Sequence, residues 1–346
     1  MAPQLSSLSR SGRLRRTATA AALATAVALV AACGGGSADE PAASGGTTTV
    51  RFGFNWVDDV EWAGYYLADQ KGYFAANGVK AELVPGGENT PAVTQLIAAG
   101  KVDMGVSSDE LQIINANKEG GDYVVIAATY AKSPYGLTWL AKTPINSPAD
   151  LKGKKIGGHQ GEQPRLDAVF TANGMKPDYT FVPMSYDPQP LVKGDMDVIT
   201  SYSTNQPISL GQEGVQTKAV TFSDFGLPSY GDLIFASRSY LDSHQEAVSG
   251  FLKALLQGID DNVADPAAGV SATVKGAGPD AKIDEKYATA ANPAYIELLA
   301  PEADRLAVDP TFMQDKVFKG YEAAGEKDLP PVSEFVDMSF LQAAKA

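Results

Sequence analysis

The chain has one cysteine and two histidines in 346 residues. A single cysteine excludes any disulfide within the chain, and this set excludes a Cys/His zinc cluster. It also leaves little for Ser–His or Cys–His nucleophilic catalysis. Positive charge is scarce: 28 Lys and Arg stand against 41 Asp and Glu, a formal net charge of −13. A nucleic-acid partner is not expected, because phosphate binding needs a basic face. Long apolar runs are nearly absent. The one run, at 17–32, falls short of the roughly 20 residues a membrane span needs. What remains is a globular composition, 44% hydrophobic and 20% charged, long enough for about two domains.

The run at 17–32 follows Arg10, Arg13, Arg15 and Arg16, so residues 1–32 read as an export signal. The run ends in Val30-Ala31-Ala32-Cys33-Gly34, which resembles the bacterial lipobox. Cys33 is therefore the expected lipidation site; an ordinary signal peptide with an incidental Cys is the alternative. Arg15-Arg16 raises the twin-arginine route, but Thr17 and Ala18 follow the pair, and the general export route is read instead. Loss of the signal removes four arginines and no acid, leaving 24 basic and 41 acidic residues, net −17. Residues 33–47 are rich in Gly, Ser, Ala and Thr and read as a flexible tether with a reach of roughly 20 Å. The expected location is the outer face of the cytoplasmic membrane, with several acyl chains on Cys33 as the anchor.

Beyond the tether, strand and helix patterns alternate. Strands are expected at 48–54, 79–84, 102–106, 123–129 and 137–141, with helices at 61–70, from Thr90-Pro91 to Gly100, and from Ser107 onward. A second unit begins near Asn146, with strands at 154–158, 179–183, 196–202, 218–222 and 232–237 and helices at 164–173 and 204–212. The βαβα order implies mostly parallel sheets covered by helices. The chain is helical after Ser243: 244–264 carries Val248, Phe251, Leu252, Leu255, Leu256 and Ile259 at helical spacing. The expected class is α/β, bilobal, with a cleft and a helical C-terminal tail. Ligands in such sheets bind beyond the carboxyl ends of the strands.

Several short runs recur in a fixed order. They are Asn55-Trp56, Gly64-Tyr65-Tyr66-Leu67-Ala68, Lys71-Gly72-Tyr73-Phe74, Gly100-Lys101-Val102-Asp103-Met104-Gly105, Leu151-Lys152-Gly153-Lys154-Lys155-Ile156-Gly157 and Gly194-Asp195-Met196-Asp197. Behind a lipobox, this order resembles the SsuA/THI5-like (NMT1/ThiY-like) substrate-binding lipoproteins of ABC importers. That group includes thiamine-pyrimidine-precursor binders, sulfonate binders and fungal pyrimidine synthases. The resemblance implies a type II periplasmic-binding-protein fold, two parallel-sheet lobes joined by two hinge strands, closing on a small molecule. It places lobe one at 48–139 plus 234–346 and lobe two at 140–233. It also implies an ABC permease as partner, no cofactor, and a monomer that makes and breaks no bond.

The resemblance also shows departures. Trp62 stands where the pyrimidine binders and synthases carry a His, and Pro228-Ser229-Tyr230-Gly231-Asp232 lacks the synthases' Cys-rich run. No lysine is identified for pyridoxal chemistry. These departures disfavour the synthase alternative.

For the ligand, Trp56 and Trp62 follow a strand end and suit a flat heteroaromatic ring by stacking, unless either packs into the core. Ser108, Asp109 and Glu110 open a helix and offer acceptors to amino groups; Ser107 with Glu110 is alternatively a capping box. His159 to Arg165 joins a strand to a helix, and Gly161-Glu162 matches the synthases' phosphate-cradling run. An anion, a neutral ligand and a plain surface loop all fit this segment. By family position Tyr202 and Asn205 face the cleft, and Tyr186 and Tyr230 are further aromatic candidates. Asp232 faces the ligand or a surface turn. This set is aromatic and acidic, with Arg165 its only cation. It leans toward a neutral or amino-bearing heteroaromatic vitamin precursor over an alkanesulfonate or other oxyanion.

Overall fold

The alternating run at the start of the body forms the first strand, β1 (Thr48–Gly53), in a computed structural model that describes residues 47–87, 90–159, 161–278 and 281–346. The expected signal, Cys33 and the tether up to residue 46 lie outside the described residues. Sheet one also contains β2 (Val79–Val84), β3 (Met104–Ser107), β4 (Tyr123–Tyr130) and β10 (Gly231–Ser237), in the order β2-β1-β3-β10-β4. Sheet two contains β5 (Tyr135–Leu140), β6 (Lys155–Gly158), β7 (Thr180–Pro183), β8 (Val198–Tyr202) and β9 (Thr217–Thr221), in the order β7-β6-β8-β5-β9.

The sheets are mixed, which corrects the expectation of parallel ones. β1 runs parallel to β2 and β3, but β10 is antiparallel to both β3 and β4. Likewise β6 runs parallel to β7 and β8, but β5 is antiparallel to β8 and β9. The cause is connectivity. A parallel neighbour needs a crossover, usually a helix. β5 and β10 are instead the strands by which the chain enters one sheet directly from the other.

Those two entries are the crossings between lobes, at 131–134 and 222–230. The boundaries expected at 139/140 and 233/234 lie inside β5 and β10, the two strands that follow these crossings. The strand expected at 137–141 in the first unit belongs to sheet two.

β4 sits last in the order of sheet one, yet all eight of its residues are buried. The tail covers its edge: the Ala128 N–H donates to Leu306 O at 3.0 Å and the Asp337 N–H to Val125 O at 2.9 Å. Capping an exposed edge in this way removes a template for aggregation.

The longest tail helix, Gln245–Ala264, buries Val248, Phe251, Leu252, Leu255 and Ile259, as its spacing predicts. It packs on the helix Ala63–Gln70 at Gly258, where an added Cβ would lie 2.0 Å from Gly64 O. The tail also touches lobe two. The Tyr321 side chain is buried in a core shared with Leu166 and Phe170, and the Gln212 Nε2 donates to Lys286 O at 3.0 Å. No helix among the described residues is long and apolar enough to cross a membrane.

Candidate functional site

A cavity of about 550 Å³ lies between the lobes, within the usual range for small-molecule sites. Its walls come from loops beyond the carboxyl ends of β1, β3, β6 and β8, as the topology requires.

Lobe one supplies Asn55 and Trp56 after β1, and Ser108 and Asp109 after β3. Asp109 is the N-cap of the helix Glu110–Lys118. Its Oδ1 accepts from the Gln112 N–H at 3.0 Å, while Gln112 Nε2 donates to Ser108 Oγ at 3.0 Å. The cap therefore falls on Asp109, two residues after the Ser107 of the expected box, because β3 continues through Ser107.

Lobe two supplies His159, Gly161, Glu162 and Arg165 after β6, Tyr186, and Tyr202 and Asn205 at the end of β8. Glu162 Oε2 accepts from the His159 N–H at 2.8 Å and from Thr200 Oγ1 at 2.5 Å, which fixes the loop around Gly161.

Three contacts cross the cavity. Trp56 meets the Tyr186 ring edge-on, centroids 4.2 Å apart, and Tyr186 stacks on His159 at 4.7 Å. Arg165 pairs with Asp109, their side chains only 13% and 5% exposed, and its guanidinium lies 4.5 Å from the centre of the Tyr135 ring. Asn205 Nδ2 reaches Asp59 Oδ2 at 3.4 Å. Burial pushes the Asp59 carboxyl up to about 6, despite hydrogen bonds from Val60 and Tyr287.

Trp56, Ser108, Gly161, Glu162, Tyr186, Tyr202 and Asn205 thus line one cavity. Four other candidates do not. Trp62 is fully buried: it stacks on Phe54 at 4.3 Å and its indole N–H donates to Val57 O at 3.0 Å. Phe54, not Trp62, reaches the cavity.

Glu110 is also fully buried. It accepts from Ser229 Oγ and Tyr321 OH, each at 2.8 Å, and from the Tyr230 N–H at 3.1 Å. It is a clamp joining lobe one, the second crossing and the tail. Tyr230 packs on Phe312, and its hydroxyl accepts from the Asp309 N–H at 2.9 Å.

Asp232 is buried under the cavity, not at a surface turn, with φ at +50°. Beside it lies Glu61, a cavity-lining carboxyl that the sequence reading did not single out. Burial first, and then the neighbouring acid, push the Glu61 carboxyl up; burial does the same to Asp232. Tyr135 also lines the cavity; it opens β5, two residues before the strand expected from the sequence at 137–141. Among the described residues no group of three or more His, Cys, Asp or Glu is placed to hold a metal ion.

The family model described as "NMT1/THI5 like" matches residues 59–269, well over half of the chain. The chain belongs to the NMT1/THI5-like family. Among its relatives is the riboflavin-binding protein RibY of Chloroflexus aurantiacus, 26% identical over 63% of this chain and 63% of that protein. The formylaminopyrimidine-binding protein of Halalkalibacterium halodurans is 27% identical over 70% of this chain and 74% of that one. A 4-amino-5-hydroxymethyl-2-methylpyrimidine phosphate synthase of Aspergillus parasiticus is 28% identical over 64% and 69%.

In structure, the alkanesulfonate-binding protein SsuA of Xanthomonas axonopodis pv. citri superposes with a TM-score of 0.64. It is 16% identical, over 84% of this chain and 99% of that one. The NMT1/THI5-like chain therefore has the periplasmic-binding-protein fold.

Proposed function

We propose that this protein is the substrate-binding component of an ABC importer and takes a neutral or amino-bearing heteroaromatic ligand, of the thiamine-pyrimidine or flavin kind, between its lobes. The observation that carries this reading is the pairing of Arg165 with Asp109. Arg165 is the one Lys or Arg side chain among the described residues on the cavity, and its charge is already matched. An oxyanion would meet no free cation, whereas a flat ring meets Trp56, Tyr186 and Tyr135. Two relatives named for riboflavin and formylaminopyrimidine support the same ligand class.

The protein acts as a binder rather than a synthase. In the synthase resemblance a His stands at the place of Trp62, and here that indole is buried in the lobe-one core. No lysine lines the cavity among the described residues. Export, lipidation at Cys33, a monomeric state and delivery to a membrane permease belong to this proposal.

The test is thermal melting of the purified protein against 4-amino-5-hydroxymethyl-2-methylpyrimidine, formylaminopyrimidine, riboflavin, taurine and nitrate. A ligand at 100 times its dissociation constant stabilises by about 2.7 kcal/mol. Shifts confined to the heterocycles support the proposal. Shifts confined to taurine or nitrate would overturn it.

A further inference from the structure

We propose that Glu61 and Asp232 share a single proton beneath the cavity and that protonated Glu61 is a specificity residue, pairing with the edge of a heterocycle that carries a ring nitrogen beside an exocyclic amino group. This inference rests on the heteroaromatic reading and adds to it the hydrogen-bond pattern that the ligand must present.

The observations are geometric. Glu61 lines the cavity, is 5% exposed, and its Oε1 is buried without a hydrogen-bond partner. Asp232 is fully buried, and its carboxyl oxygens face the Glu61 carboxyl and the Asn55 side chain, with no ordinary hydrogen bond to either. Buried polar atoms are seldom left unmatched in a stable protein. Here the unmatched oxygens belong to two neighbouring carboxyls, of which Glu61 lines a cavity sized for a small molecule.

The charged groups facing Glu61 are Asp232 from β10 and Asp59 from the loop after β1. Around them stand neutral phenols: Tyr65, Tyr130 from β4, Tyr202 from β8, and Tyr287 and Tyr295 from the helix Glu285–Ile296. Asn55 is the nearby amide. Arg165 belongs to Asp109. With no cation in this set, two adjacent buried carboxylates cannot both ionise, and one proton stays with the pair.

On its other side Glu61 borders a second cavity of about 20 Å³, lined also by Tyr65, Thr129 and Tyr295. That volume suits one water molecule with several polar partners. Glu61 therefore stands between the ligand space and an inner polar pocket.

A neutral carboxyl group presents an O–H donor beside a carbonyl acceptor. A ring nitrogen accepts from the first while the adjacent amino group donates to the second. An ionised Glu61 offers acceptors only, and it repels any anion. A ligand bearing sulfonate or phosphate at this end is excluded by the same chemistry.

The experiment is equilibrium binding of 4-amino-5-hydroxymethyl-2-methylpyrimidine to the purified protein from about pH 7 to 9. Across that range the free probe is uncharged. Wild-type affinity is expected to fall by about tenfold per pH unit above the pair's apparent pKa. Glu61→Gln keeps a donor and an acceptor but cannot lose a proton. It should weaken binding less than Glu61→Ala does and remove most of the pH dependence. A level wild-type affinity across the range, or Glu61→Gln binding as poorly as Glu61→Ala, would overturn the shared-proton site. Circular dichroism at each pH establishes that every variant is folded. If neither the pyrimidine nor riboflavin binds any variant, the heteroaromatic reading fails and takes this subsite with it. If they bind wild type without the pH pattern, the subsite alone fails.

Discussion

Arg165 of lobe two reaches across the cleft to Asp109 of lobe one and lies against the Tyr135 ring as it does so. Both side chains are nearly buried, so each charge depends on the other. Arg165→Ala leaves Asp109 unpaired in the closed cleft, and the relief available is separation of the lobes. Small-angle scattering is therefore expected to show a larger radius of gyration for ligand-free Arg165→Ala than for wild type, with closure restored by ligand. Asp109→Ala has the opposite interest. It frees a guanidinium at the cavity wall and should create measurable affinity for taurine where wild type has none. Unchanged scattering in the first variant and no sulfonate binding in the second would show that the pair does not set the cleft's closure or its charge.

Trp56 supplies the aromatic wall on the lobe-one side, held edge-on by Tyr186 from the other lobe. Truncation to Ala removes stacking area on the ligand as well as this cross-cleft contact. Binding of whichever heterocycle gives the melting shift is expected to weaken at least tenfold, about 1.4 kcal/mol. Titration calorimetry on Trp56→Ala reads this directly, and an unaltered dissociation constant would remove Trp56 from the site.

Glu110 behaves as a structural residue despite its place at the start of a cavity-facing helix. Three donors converge on its buried carboxylate, from Ser229, Tyr230 and Tyr321. Glu110→Ala strands all three and is expected to destabilise the protein by about 3 kcal/mol or more. Chemical denaturation measures that loss. Ligand preference across the heterocycle panel should be unchanged at temperatures where the variant is folded. A switch in preference with little loss of stability would return Glu110 to the binding surface.

The contrast between Glu110 and Asp109 shows what was legible in the sequence. The strand–helix order, the tail helices and the loops after β1, β3, β6 and β8 follow from local periodicity and turn residues, and the cavity forms where those loops converge. Which side chain of a polar run faces the cavity depends on the helix register. That register was set by β3 extending through Ser107, which moved the cap to Asp109 and turned Glu110 inward. Trp62 turns inward for a related reason. The residues after Asp59 form a short helical turn that points Glu61 to the cavity and Trp62 onto Phe54. The antiparallel strands β5 and β10 carry no local signature, since their direction follows from where the chain arrives. The Arg165–Asp109 pair joins residues distant in sequence, and spacing could not have revealed it.

Asp59 gives the fold its own pH dependence. It is 6% exposed, its Oδ1 accepts from the Val60 N–H at 2.6 Å, and its Oδ2 accepts from Tyr287 OH at 3.2 Å. Burial outweighs these bonds and holds its pKa at about 6, above that of an unfolded Asp near 3.9. A raised carboxyl pKa means that the folded state binds the proton more tightly. The stabilisation is therefore fully present below about pH 4 and is lost as pH rises through about 6. Two units correspond to roughly 3 kcal/mol as an upper figure, since local relaxation lowers it. Asp59→Asn removes the titration while keeping an acceptor for Val60. Denaturation midpoints measured from about pH 4 to 7 should decline less steeply in the variant than in wild type. Parallel curves would mean that Asp59 ionises freely, with water reaching it between the lobes.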